Sequence, residues 1–148
     1  MILFSNKNEI LDYIFEVEFS KRIRLLNELK KKKISLKEKI AIFLDRHFED
    51  LQQNLAKAIV IVQESRAPIK HRPEAIEIFM EKIPLILKEM IDKAIEQEEI
   101  RKVNSRLVAD TIFYSIREMA FNVANGSQYD FLQIKKELLN LFWIGLKR

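Results

Sequence analysis

Apolar residues recur along this chain at intervals of three and four. Ile10, Leu11, Ile14, Phe15, Phe19, Ile23, Leu26 and Leu29 fall on one helical face. That spacing predicts an amphipathic helix over many turns. Asn6 precedes the run and Glu9 follows three positions later, a pair suited to a capping box. The run ends in Lys30, Lys31, Lys32 and Lys33, whose charges suit a helix C-terminus. The segment "SLKE" restarts the pattern, with Ser35 and Glu38 as a second capping box. Leu36, Ile40, Phe43, Leu44, His47, Phe48 and Leu51 then share one face.

Gln52, Gln53 and Asn54 interrupt that face. "LAKAIVIV" (Leu55 to Val62) is apolar nearly all round and is expected to be a short helix buried on every side. Its β-branched residues also allow a strand, but no partner strand is visible. "QESRAPIKHRP" breaks the chain, and Pro73 suits the first turn of a new helix. Ile76, Phe79, Met80, Ile83, Leu87, Met90, Ile91, Ala94 and Ile95 carry the next stripe. Pro84 lies inside it and predicts a kink, because proline removes a backbone hydrogen bond and crowds the preceding turn. "EQEEIRKVN" is a connection ending in the cap residue Asn104. A helix over 107–125 is stopped by Gly126 in a left-handed conformation. Asp130, with Gln133, caps a last helix that is apolar on most faces.

The fold class is therefore all-α: about six helices in a bundle-like single domain. Composition supports this. Two glycines and three prolines in 148 residues leave few tight turns for a hairpin-built sheet. Such a length suits one domain with a sizeable core. A last helix apolar nearly all round is too much for one layer of neighbours, and a large exposed apolar patch marks an interface. The expected outcome is a two-fold homodimer formed by the last two helices. Ile112, Met119 and Val123 on one helix, and Leu138, Leu141, Phe142 and Gly145 on the other, are its candidate contacts. The competing reading is a central helix within a monomer.

Chemistry is sparse. There is no cysteine, which excludes disulfides, thiol catalysis and cysteine-based zinc sites. His47 and His71 are far apart, so no metal site is expected. No nucleophile elbow, phosphate loop or HExxH segment occurs, and the chain is read as non-enzymatic and without a cofactor. Twenty-six basic against 22 acidic residues give a formal charge of +4; the lone lysine run lacks the aromatic residues of a nucleic-acid platform. Glu98 and Glu99 read as solvated surface. No apolar run reaches membrane-span length and no signal peptide opens the chain, so the cytoplasm is expected.

The informative candidates lie between helices. Helical bundles place ligand sites among facing side chains, and a kink at Pro84 would separate neighbouring helices locally. Phe43, Phe79, Ile83, Met90 and Phe113 are the candidate apolar lining, with Met80 close by. Gln63, Tyr114 and Arg117 are candidates for a ligand's polar end. His47, on an apolar face, is either a satisfied core residue or a further ligand contact.

These segments resemble TetR-type transcriptional repressors. "ILFSNKNEIL" (residues 2–11) is similar to that family's junction between the helix-turn-helix and the long linking helix, with Phe4, Lys7, Glu9, Ile10 and Leu11 matching. Leu3 replaces an aromatic. "SLKEKIAIFLDRHF", the apolar helix ending in "QES", "AIEQEEIRKVNSRLVADTIFYSI" and "GSQYDFLQIKKELLNLFWIGL" resemble later helices in the family's order. Gln97 and Glu98 stand where a small residue is common. The details look most like the branch that represses fatty-acid degradation genes and is released by long-chain acyl-CoA. The resemblance implies that residues 1–5 are the remnant of a DNA-binding domain and that 6–148 form a ligand-binding and dimerisation domain, dimerising through a four-helix bundle of the last two helices. An apolar or acyl-CoA-like effector would be its partner, and DNA would be reached only through the missing helix-turn-helix. The alternative function is a helical homodimeric protein-interaction module with no small-molecule site.

Overall fold

The structure, a computed structural model, describes residues 5–66, 68, 74–126 and 128–148. Phe4, His71 and Pro73, named above, lie outside the described residues. The helices are α1 (Lys7–Lys31), α2 (Leu36–Gln53), α3 (Leu55–Ser65), α4 (Glu74–Glu96), α5 (Ser105–Ala124) and α6 (Phe131–Leu146). Six helices and the all-α class follow the periodicity.

The helix ends show which local signals held. Asn6 accepts from the Glu9 N–H at 3.0 Å, but the Glu9 carboxylate reaches Ser5 N–H rather than that of Asn6. The first capping box is thus offset by one residue. Ser35 Oγ accepts from the Glu38 N–H. The next orphan donor, Leu36 N–H, is taken by the Glu99 carboxylate from the α4–α5 connection. Glu99 is accordingly half-buried and ties two loops together, correcting its reading as solvated surface; Glu98 beside it is exposed, with φ +58°. Asp130 and Gln133 form the full reciprocal box. Gly126 adopts φ +85° just past the end of α5, a conformation glycine enters without a Cβ penalty.

One expectation needs correction. The α3 helix is not buried all round: Ala58, Ile61, Val62 and Ser65 are buried, while Leu55 and Val60 face outward. The α4 helix runs unbroken through Pro84, which is buried within it.

α4 packs between α1 and α5, while α2 lies against α6 and α3 against α5. Most buried side chains form one cluster drawn from all six helices. A smaller cluster of Leu11, Phe15, Phe19, Ile61 and Ile76 joins the first half of α1 to α3 and α4. Phe79 and Met80 touch both clusters. The seam between the two is where the apolar packing is left incomplete. At its far end, α6 is pinned by Arg101, whose N–H donates to Leu146 O and whose Nε donates to Gly145 O. No helix among the described residues is long and apolar enough to cross a membrane.

Candidate ligand site

The seam holds a cavity of about 50 Å³, lined by Phe19, Arg22, Phe43, His47, Leu51, Ile61, Val62, Ser65, Phe79, Phe113, Ile116, Arg117 and Ala120. α1, α2, α3, α4 and α5 all contribute. Such a space holds a few waters at most. It is narrow because aromatic rings close on it. Phe19 stacks on Phe79 with centroids 3.8 Å apart, and Phe79 meets Phe113 edge-on at 5.5 Å.

Phe43, His47, Phe79, Phe113 and Arg117, singled out from the sequence, converge on this cavity. The others do not. Ile83 and Met90 are fully buried core residues further along α4. Gln63 is exposed at the end of α3, and Tyr114 is 48% exposed on the outer side of α5. Arg117 is half-buried; its Nη1 donates to the Met80 sulfur at 3.0 Å, and its guanidinium lies 5.5 Å from the Tyr114 ring.

The residue the sequence reading missed is Arg22. It is 4% exposed, set between Phe19 and Leu26 on the buried stripe of α1. Its Nε donates to His47 Nδ1 at 2.9 Å, and its Nη1 donates to Glu18 O at 3.0 Å and faces Glu18 Oε2 at 3.5 Å. Glu18 is likewise buried and also receives Lys57 Nζ of α3 at 2.9 Å and Lys21 Nζ at 3.2 Å. Lys57, Glu18, Arg22 and His47 thus form a continuous polar chain linking α3, α1 and α2 beside the cavity. A charged residue at spacings of three and four from Phe19 and Leu26 was the available signal: a charge at a core register requires a partner. Desolvation would raise the Glu18 carboxyl, but hydrogen bonds from Lys57 and Lys21 and the Arg22 charge outweigh it and hold it below its ordinary value.

His47 lies between Phe43 and Phe48. Burial first, then the Arg22 charge, push its pKa well below 6.5. Because Nδ1 accepts from Arg22, the neutral ring carries its proton on Nε2. The unfolded chain binds this proton near its ordinary pKa while the folded chain refuses it. Stability contributed by neutral His47 is therefore complete above pH 6.5 and is lost as pH falls through that value toward the depressed one. Urea unfolding at pH 7.5, 6.5 and 5.5 should show a decline approaching about 1.4 kcal/mol per pH unit at the acid end. His47→Asn, which retains an acceptor for Arg22, should flatten that slope; an equal slope in both proteins would exclude His47 as its source.

No group of acidic residues or histidines among the described residues could hold a metal ion. The chain is thus a helical domain with a small apolar-lined cavity, with buried Arg22 and half-buried Arg117 at its edge. The chain belongs to the TetR-type family of YsiA-like proteins, C-terminal region, whose model matches residues 15–145. The resemblance read from the sequence is thereby borne out. The chain is 28% identical over 147 residues to the fatty acid metabolism regulator protein of Bacillus subtilis (strain 168), covering 98% of this chain and 76% of that protein. The fold matches FadR of Bacillus halodurans, with TM-score 0.82 and 22% identity over 97% of this chain and 78% of that one. It also matches the transcriptional regulator FadR of Bacillus subtilis, solved in complex with stearoyl-CoA, with TM-score 0.80 and 29% identity over 94% and 76%. These relatives are transcriptional regulators rather than enzymes.

Proposed function

We propose that this chain is an acyl-CoA-sensing domain acting as a homodimer in the cytoplasm, and that its effector inserts its acyl chain into the seam cavity. The carrying observation is the cavity itself, whose surface is built from Phe19, Phe43, Phe79, Phe113 and aliphatic neighbours. The B. subtilis relative, solved with stearoyl-CoA, supports the same ligand class. Phe43, His47, Phe79, Phe113 and Arg117 are the proposed contacts. The domain boundary near residue 6 belongs to the same proposal, with residues 1–5 ending a DNA-reading module.

The small cavity suggests how binding becomes a signal. A long acyl chain exceeds its volume, so the walls must part, the stacked Phe19 and Phe79 among them. Phe19 belongs to α1 and Phe79 to α4, so an occupied cavity favours a different placement of α1 against α4. Only such a difference in affinity between two states can shift their populations. In an intact dimeric regulator, moving α1 resets the separation of two DNA-reading helices relative to half-sites one DNA turn apart.

Calorimetric titration with palmitoyl-CoA should show one site per subunit, and Ala120→Trp, which fills the cavity, should weaken binding at least tenfold. Arg117→Ala should also weaken it. A wild-type protein that binds no acyl-CoA, or an Ala120→Trp protein that binds it as well, would sink the proposal.

A further inference from the structure

A second depression lies on the surface between α1 and α2, and Arg22, Phe43 and His47 line both it and the seam cavity. These three residues are the wall between an apolar interior and a polar exterior. On the outer side, the depression is bounded by Lys21 and Arg46, with Asp50 the carboxylate among its lining. An amphipathic ligand whose tail fills the inner space and whose charged head stays in water has a short crossing at this wall.

Arg22 is equipped for that crossing. Nε is used by His47 and Nη1 by Glu18, whereas the Nη2 edge has no acceptor among the described residues. The guanidinium is more than nine-tenths buried and lines both spaces. Its charge is offset by buried Glu18, which Lys57 and Lys21 also serve, and by half-buried Asp50 of the depression's lining. What remains on offer is hydrogen-bond donation rather than net charge. Beside it, the neutral His47 ring carries its second donor on Nε2. Two donors at an apolar–polar boundary, beside carboxylates that already pair the guanidinium, suit a carbonyl oxygen.

We propose that Arg22, held by His47 and Glu18, anchors the thioester carbonyl of the ligand, whose phosphate-bearing head leaves between α1 and α2 past Lys21 and Arg46. This rests on the acyl-CoA reading above and adds a selection for the carbonyl group and a route for the head. A hydrogen bond to a charged donor in a buried site is worth about tenfold or more in affinity.

The test compares palmitoyl-CoA with S-hexadecyl-CoA, which has the same chain and head but a methylene in place of the carbonyl. Wild-type protein should bind the thioester about tenfold tighter. Arg22→Gln, which leaves Glu18 paired with Lys57 and Lys21, should erase most of that preference. Exposed Arg46→Glu should weaken both compounds alike, by about tenfold, and keep the preference. Equal affinity of wild-type protein for the two compounds would overturn the carbonyl anchor while leaving acyl-CoA sensing intact. Unchanged binding in Arg46→Glu would overturn the route. Binding of neither compound would overturn both this proposal and the reading beneath it.

Discussion

Glu18→Ala should destabilise the domain by about 3 kcal/mol, with a melting temperature lower by roughly 10 °C. Glu18 and Arg22 are 4% exposed each, one turn apart on α1. Removing the carboxylate strands a guanidinium among Phe19, Phe43 and Leu26. His47 Nδ1 and the Glu18 carbonyl still accept from it, so its hydrogen bonds are only partly lost. The charge is then left with half-buried Asp50 as its remaining carboxylate, and an undercompensated buried charge is what makes breaking such a pair expensive. Lys57 also loses its acceptor, which weakens the join between α1 and α3. The double substitution Glu18→Ala, Arg22→Leu should recover most of the loss, because it removes both desolvation costs together. Thermal and urea unfolding of the four proteins in this cycle give the coupling directly. A Glu18→Ala protein within 1 kcal/mol of wild type would mean that the buried network contributes little to stability.

That network also shows where sequence reading stops. Periodicity finds stripes because burial of apolar faces repeats every turn, and it located six helices with ends within a few residues. Caps were legible where donor and acceptor sit in one segment, as at Asp130 and Gln133. They were not legible where the partner is distant, as for Glu99 serving α2 from 63 residues away. The same limit applies to the cavity. Phe43, Phe79 and Phe113 were selected as bulky residues on inward faces, and the fold brings them together. Ile83 and Met90 met the same criterion but lie where the core closes fully. Which inward residues border a void depends on how two apolar clusters meet, and no single helix carries that information. Arg22 could have been found: a charge on a buried stripe must have a counterion, and Glu18 lies one turn away. Stripe counting passes over a charge because it asks only where apolar residues recur.

The largest effect on assembly is expected from Leu141→Glu, which should turn a dimer into a monomer. Dimerisation through α5 and α6 is our proposal, and the exposed surface motivates it. Leu107 is 64% exposed, Leu132 54%, Leu141 66% and Ile144 57%. Met119, Val123, Leu138 and Phe142 are half-buried beside them, and Gly145 has no atom within 4 Å of where a Cβ would stand, leaving its backbone open to close approach. Ile112 is not part of this surface; at 1% exposure it belongs to the subunit's own core. Four large aliphatic side chains exposed on these two helices supply apolar area for a contact. In a two-fold dimer each substitution enters the contact twice, so a carboxylate at 141 would bury two unpaired charges. The dissociation constant should rise at least 100-fold, roughly 2.7 kcal/mol or more. Ile78→Glu is the matched control: it places the same charge at an apolar, 42% exposed position on α4, outside the two helices of the proposed contact, and should leave the dimer intact. Sedimentation velocity at micromolar concentration distinguishes the two states, and circular dichroism should show both variants as helical as wild type, since neither side chain is buried in the subunit. A Leu141→Glu protein that sediments as a dimer would place the contact elsewhere on the surface.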